Sequence, residues 1–203
     1  MRTNWTKYWR AYTYLEKLWI WRITRAYKKL LKNIKLKDVK ILELGSGSGI
    51  NSLTLAKIFN AKEITLVDSN KKAIEISKNK FKNSNLSVRF LKRDINNLNL
   101  KEGFDIVHSE GLIEHFYGKK RIEIFKKHVD FCKKGGIIII FVPYKCIHYN
   151  LSRKILEKLN MWMWNEKPFS REELRILSRQ FNLKILNEYS SPLIHQFGIL
   201  LKN

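Results

Sequence analysis

The side chains whose types and spacing suit chemistry fall in two stretches. In Ile41-Leu42-Glu43-Leu44-Gly45-Ser46-Gly47-Ser48-Gly49, a carboxylate is followed by glycines at every second position. Glycines so spaced let a chain turn sharply and bring its backbone close to a ligand. A helix opening there presents free N–H groups to a carboxylate or other polar group. The charge of Glu43 suits a ligand carrying an ammonium and a sulfonium and suits a pyrophosphate badly. The second stretch is His108-Ser109-Glu110-Gly111-Leu112-Ile113-Glu114-His115-Phe116. His115 can accept a proton near neutral pH. Packing, or capping of a helix that begins near Gly118, is the commoner role for such a histidine.

The elements that must position these residues alternate. Residues 39–44 form a short apolar strand ending at the glycines, and Ile50 to Phe59 has helical spacing. Ile64–Val67 is a buried strand closed by Asp68, and Lys71 to Phe81 is a helix with Ala73, Ile74, Ser77 and Phe81 on one side. Leu86–Leu91 ends near Asp94, Phe104–Val107 is a fourth strand, and Gly118 to Cys132 is a helix. Gly136 to Val142 is the most apolar strand, as a central strand covered on both faces should be. Ser170-Arg171-Glu172-Glu173 reads as a capping box, with Phe169 and Leu174 placed for a hydrophobic staple. Two closing strands, 183–189 and 195–201, are joined by a short turn and imply an antiparallel pair. The alternation predicts a Rossmann-like three-layer α/β/α sandwich with a mostly parallel seven-stranded sheet and an antiparallel last strand.

At the glycine turn the chain resembles the first motif of class I S-adenosylmethionine-dependent methyltransferases, whose loop holds the amino-acid end of S-adenosylmethionine. Three later positions follow in the same order. Asp68, with Ser69, resembles the carboxylate that takes the ribose hydroxyls. Asp94 resembles the acidic neighbour of the adenine amino group, with Ile95 against the ring. Phe104–Glu110 resembles the fourth-strand motif beside the methyl group. The resemblance implies S-adenosylmethionine as cofactor, held by Glu43, Gly45, Ser46, Gly47, Gly49, Asp68, Ser69, Asp94, Ile95, His108 and Glu110. It covers residues 38–143, and the Glu-His-Phe at 114–116 is similar to branches acting on quinone precursors and other small metabolites. A dinucleotide dehydrogenase fits poorly, because Ile50 stands where its third glycine is required.

Absences narrow the acceptor. The Asp/Asn-Pro-Pro-aromatic motif of base-amino methylation is missing after the fourth strand, and neither Cys132 nor Cys146 follows a proline, as pyrimidine carbon-5 chemistry requires. The two cysteines form neither a zinc motif nor a disulfide framework. No Asp/His cluster suggests metal ligands, so transfer to a small molecule without a metal is expected, with His115 the candidate base. RNA methylation and a non-catalytic S-adenosylmethionine-binding or scaffold role are the alternatives.

The 203 residues, 44% hydrophobic and 12% aromatic, suffice for one folded domain, and disorder throughout is excluded. No secretory signal and no membrane-length apolar run is visible, so a cytoplasmic protein is expected. The net charge of +22 attracts RNA or an anionic membrane surface, or is simply a solvated lysine-rich exterior. An arm over residues 4–35 places Trp5, Trp9, Tyr12, Leu15, Trp19, Ile23, Leu30 and Ile34 on one helical face and Lys7, Arg10, Lys17, Arg25, Lys28 and Lys32 opposite. Three roles suit it: a cover over the site, a membrane-surface helix that makes the protein peripheral, or an RNA-stacking arm. An insertion at 145–169 carries an apolar stripe, Leu151, Ile155, Leu156, Leu159, Trp162 and Met163, followed by Trp164. It is either a packed helix or a lid over the acceptor.

Overall fold

The computed structural model describes residues 20–162, 164–191 and 195–203. A helix, α1, covers residues 20–30. It is followed by β1 (Lys40–Leu44), α2 (Ile50–Phe59), β2 (Glu63–Asp68), α3 (Lys71–Phe81), β3 (Ser87–Lys92) and β4 (Phe104–Glu110). Then come α4 (Gly118–Phe131), β5 (Cys132–Pro143), α5 (Ile147–Lys158), α6 (Arg171–Gln180), β6 (Lys184–Ser191) and β7 (Gln196–Lys202). The strands make one seven-stranded sheet in the order β3-β2-β1-β4-β5-β7-β6. Strands β1 to β5 pair in parallel, and β7 runs antiparallel to both its neighbours. This is the expected Rossmann-like sandwich with its antiparallel last strand.

The apolar pattern of β5 explains the layers. Side chains alternate across a sheet, so Ile137, Ile139 and Phe141 join one core with Ile23, Tyr27 and Leu30 of α1, Leu55 and Phe59 of α2, and Phe81 of α3. Ile138, Ile140 and Val142 join the other with Ile124 and Phe125 of α4 and Leu174 and Leu177 of α6. An uninterrupted apolar run is what a strand buried on both faces needs. Tyr27 meets Phe141 edge-on at 5.4 Å, which fixes α1 on the sheet. The expected face of the arm is borne out over its described part, since Ile23 and Leu30 are buried while Arg25, Lys28 and Lys32 are exposed. Trp5, Trp9, Tyr12, Leu15 and Trp19 lie outside the described residues, as does Met163.

Two strand starts or ends and one helix cap depart from the sequence reading in ways that bear on the site. Strand β4 runs on to Glu110, because His108 and Ser109 are buried and pair with Ile139 and Ile140 of β5. Strand β5 begins at Cys132 directly after α4, with an irregular register against β4 between Phe104 and Ile106. The start of α6 follows expectation only in part. The Ser170 side chain accepts from the Glu173 N–H at 3.0 Å, and Phe169 and Leu174 are buried. The Glu173 carboxylate, however, pairs with Arg121 at 2.7 Å rather than returning to the cap. No described helix is long and apolar enough to cross a membrane.

Candidate active site

The carboxyl ends of β1, β2 and β4 open on one cavity of about 1030 Å³. Its first wall is the glycine turn. Gly45 has φ +68°, and a Cβ there would lie 2.9 Å from a Leu112 methyl. Gly49, at φ +72°, caps α2, and a Cβ there would lie 2.8 Å from both Leu66 and Phe81. Both positions therefore need glycine, for conformation and for space. Gly49 faces this packing and does not line the cavity, whereas Gly45, Ser46 and Gly47 do. The buried Ser46 hydroxyl has no hydrogen-bond partner among the described residues. A polar group left without a partner in a wall fits a ligand that supplies one.

Glu43 does not line the cavity. It is 1% exposed and stands behind the wall, its carboxyl accepting from Asn51 Nδ2 at 3.2 Å and from the Ser52 N–H at 3.3 Å. Burial pushes its pKa up to about 8. Near neutral pH it is mostly an uncharged acid that braces the first turn of α2, and it reaches the cavity through Asn51, which lines it. His108 is likewise fully buried and off the lining, with Nε2 2.9 Å from the Ser52 hydroxyl. Burial, then the neighbouring His128, hold it down at about 3, so it is a neutral core histidine. Sequence patterning could not separate these residues from the lining, because the turn that hides them is tertiary.

The second wall carries acidic groups at strand ends. Asp68 lines the cavity with Ser69; its Oδ2 accepts from the Gly47 N–H at 2.9 Å and its Oδ1 from the Asn70 N–H at 2.8 Å. Burial raises its pKa, and those two N–H donors act against the rise. The fixed carboxylate oxygens can still accept from vicinal hydroxyls. Asp94 caps the short 3-10 turn Ile95–Asn97 through the Asn96 N–H at 2.8 Å, and both Asp94 and Ile95 line the cavity.

At the far end, Glu110 ends β4 and accepts from Arg22 of α1 at 2.9 Å and from Gln196 of β7. Gly111, with φ +70°, turns the chain into Leu112, Glu114, His115 and Phe116, which all line the cavity. Glu114 is 1% exposed, and its Oε2 has no hydrogen-bond partner among the described residues. Burial and then Glu166 raise its pKa well above the ordinary carboxyl value. His115 Nδ1 lies 2.8 Å from the Asn165 carbonyl, and burial lowers its pKa. Glu166 accepts from the Tyr149 hydroxyl at 2.9 Å. One ligand atom from each of Glu114, His115 and Glu166 lies within 4.8 Å of the others.

Two segments roof this end. Arg22 and Ile23 of α1 line the cavity from one side, and Tyr149, Ser152 and Leu156 of α5 from another. Trp162 and Trp164 follow, their rings 5.0 Å apart and nearly perpendicular. The apolar stripe expected of the insertion is thus divided. Leu156 and Trp162 face the cavity, while Leu151, Ile155 and Leu159, spaced four apart on the other side of α5, are exposed. Arg22, Asn51, Tyr149 and Glu166 were missed by sequence reasoning. Arg22 lies 88 positions from its partner and Tyr149 lies 17 from Glu166, while Asn51, eight from Glu43, carries no mark of its own in the motif.

Residues 41–136 match the family of methyltransferase domains. The ribosomal RNA small subunit methyltransferase G of Brachyspira hyodysenteriae (strain ATCC 49526 / WA1) is 42% identical over 72 residues. The matched stretch is 34% of this chain and 33% of that protein, so the chain spans about a third of that relative's length. Among solved structures, the magnesium protoporphyrin IX methyltransferase of Synechocystis PCC 6803, with bound S-adenosylhomocysteine, superimposes with a TM-score of 0.72 at 13% identity over 91% of this chain and 83% of that one. An S-adenosylmethionine-dependent methyltransferase of Clostridium acetobutylicum ATCC 824 gives 0.70 at 18% identity over 98% of both chains. At these identities the structural likeness concerns the fold.

Proposed function

We propose that this S-adenosylmethionine-dependent methyltransferase acts on a small organic molecule, held at the far end of the cavity beneath α1 and α5. When bound, S-adenosylmethionine supplies a methyl carbon made electrophilic by its sulfonium. The glycine turn at Gly45, Ser46 and Gly47 holds the amino-acid end, with Asn51 braced by the Glu43 carboxyl behind it. Asp68 and Ser69 take the ribose hydroxyls, and Asp94 and Ile95 flank the adenine. Glu110, at the end of β4, would face the methyl-bearing end of the bound cofactor. His115, whose pKa burial lowers against the opposing hydrogen bonds of the Asn165 and Gly111 backbone, accepts the acceptor's proton.

The observation that carries this reading is the single cavity running from the glycine turn to Glu114 and His115. At about 1030 Å³ it has room for a nucleoside and a small acceptor side by side, which is what aligning an in-line displacement requires. Aromatic walls at Tyr149, Trp162 and Trp164 suit a compact organic frame. A second reading, an RNA acceptor, is favoured by the short stretch similar to a ribosomal RNA methyltransferase and by the net charge of +22. Purified chain incubated with methyl-labelled S-adenosylmethionine, and separately with a low-mass metabolite extract and with ribosomal RNA, tests both. Label entering the low-mass fraction is expected. Label confined to RNA selects the second reading, and cofactor binding with no transfer to either selects a non-catalytic role.

A further inference from the structure

The far end of the cavity has the wrong sign for this protein. The chain has 40 Lys and Arg against 18 Asp and Glu, yet three glutamates from separate elements converge there: Glu110, Glu114 and Glu166. Arg22, which lines the same end, is paired with Glu110. Neither the Glu114 nor the Glu166 carboxyl makes a direct ion pair among the described residues; Arg121 and Arg153 act on them from nearby, donating instead to the Glu114 and Glu166 backbone carbonyls at 3.4 Å. Glu114 is 1% exposed, lines the cavity, and keeps an oxygen with no hydrogen-bond partner. Carboxyls buried without a direct ion pair are costly to ionise, and a cation bound against them offsets that cost. Beside them Trp162 and Trp164 form a corner, with Tyr149 edge-on to Trp162 at 5.9 Å. The Arg153 guanidinium stands over the Trp162 ring at 5.2 Å, and aromatic walls next to carboxylates are the surroundings a further organic cation prefers.

We propose that the methyl acceptor is an amine bound as its ammonium ion, the nitrogen held between Glu114 and Glu166 and the carbon frame against Trp162 and Trp164. This rests on the methyltransferase reading above and names its substrate class. One N–H proton passes to His115, and the freed nitrogen lone pair forms the N–CH3 bond. The S–CH3 bond breaks with its electron pair left on sulfur, giving S-adenosylhomocysteine and an N-methylammonium product. The product is still a cation, so the same carboxylates serve both ends of the reaction. The raised pKa of Glu114 agrees with an acid that ionises when a cation arrives.

The test is calorimetry on the full chain saturated with S-adenosylhomocysteine. Benzylamine, 2-phenylethylamine and tryptamine are compared, each with its matching alcohol and carboxylate. The best-binding amine should exceed its alcohol by about tenfold or more, and the carboxylates should not bind, as charge-assisted pairing predicts. Glu114→Gln and Glu166→Gln should each remove most of that preference while S-adenosylhomocysteine still binds. Two variants are needed because Glu114 sits deep in the fold, and Glu166 on the insertion does not share that risk. Amines bound no better than their alcohols, with S-adenosylhomocysteine still binding, would overturn the amine and leave the methyltransferase reading standing. Absence of S-adenosylhomocysteine binding would overturn both. Magnesium, manganese or zinc binding that is lost in both variants, with amines not preferred, would assign the cluster to a metal ion and also overturn the amine.

Discussion

Replacing Glu43 by glutamine removes a titration that burial has displaced far from its ordinary range. The Glu43 carboxyl titrates at about 8 in the folded protein against an ordinary 4.5. At pH 7 the unfolded chain has lost this proton and the folded chain keeps most of it. The folded state binds more protons, so this contribution to stability is complete only below the unfolded value and is lost as pH rises through about 8. Integrating the folded-state proton from pH 7 to pH 9, where the unfolded group no longer titrates, gives a loss on the order of 1 kcal/mol. His108 and His128, held down at about 3 and about 4, are neutral throughout that window. Their effect lies on the acid side, where stability falls as pH drops below the unfolded histidine range. Glutamine mimics the neutral acid and can still accept from the Ser52 N–H. Urea melts at pH 7 and pH 9 provide the assay. The wild type should lose on the order of 1 kcal/mol more than Glu43→Gln across the interval. Equal losses would mean that Glu43 is already ionised at neutral pH, and the account of it as an uncharged brace would be wrong.

Other expectations follow from the same geometry. Asp68→Ala should weaken S-adenosylhomocysteine binding by about 1.5–3 kcal/mol, the scale for hydrogen bonds to a charged group, as read by calorimetry. Gly49→Ala combines a left-handed φ with a Cβ 2.8 Å from Leu66 and Phe81, and should lower stability by about 1–3 kcal/mol in urea melts; a neutral change would contradict the packing described. Tyr27→Phe removes a buried hydroxyl that has no hydrogen-bond partner among the described residues, and should leave stability unchanged or raise it by about 1 kcal/mol.

What the sequence made legible was local or periodic. The helix at Lys71–Phe81 and its buried face were read correctly because Ala73, Ile74, Ser77 and Phe81 follow one period. The turn after β1 was legible because Gly45 and Gly49 are demanded by backbone conformation as well as by space. Strand β5 was visible as an apolar run, although its first residues were not, because Lys133 and Lys134 are exposed and break the pattern. Long-range geometry was hidden. Arg22 and Glu110 are 88 positions apart, and Glu166 reaches Glu114 and His115 only through the path of the insertion. Glu43 looked like a charge offered to a ligand, but its neutrality follows from burial that no motif records. The two faces of α5 were merged into one stripe for the same reason. Spacing gives a helix its apolar positions and does not reveal which of them the domain covers.

The central claim is that the wall from Gly45 to Asp94 holds S-adenosylmethionine. Calorimetric titration of S-adenosylhomocysteine into the purified chain, beside Asp68→Ala, tests it most directly. Saturable binding of one molecule per chain, clearly weakened by the substitution, is the predicted result. No binding by a folded wild-type chain, or binding indifferent to Asp68, would contradict it.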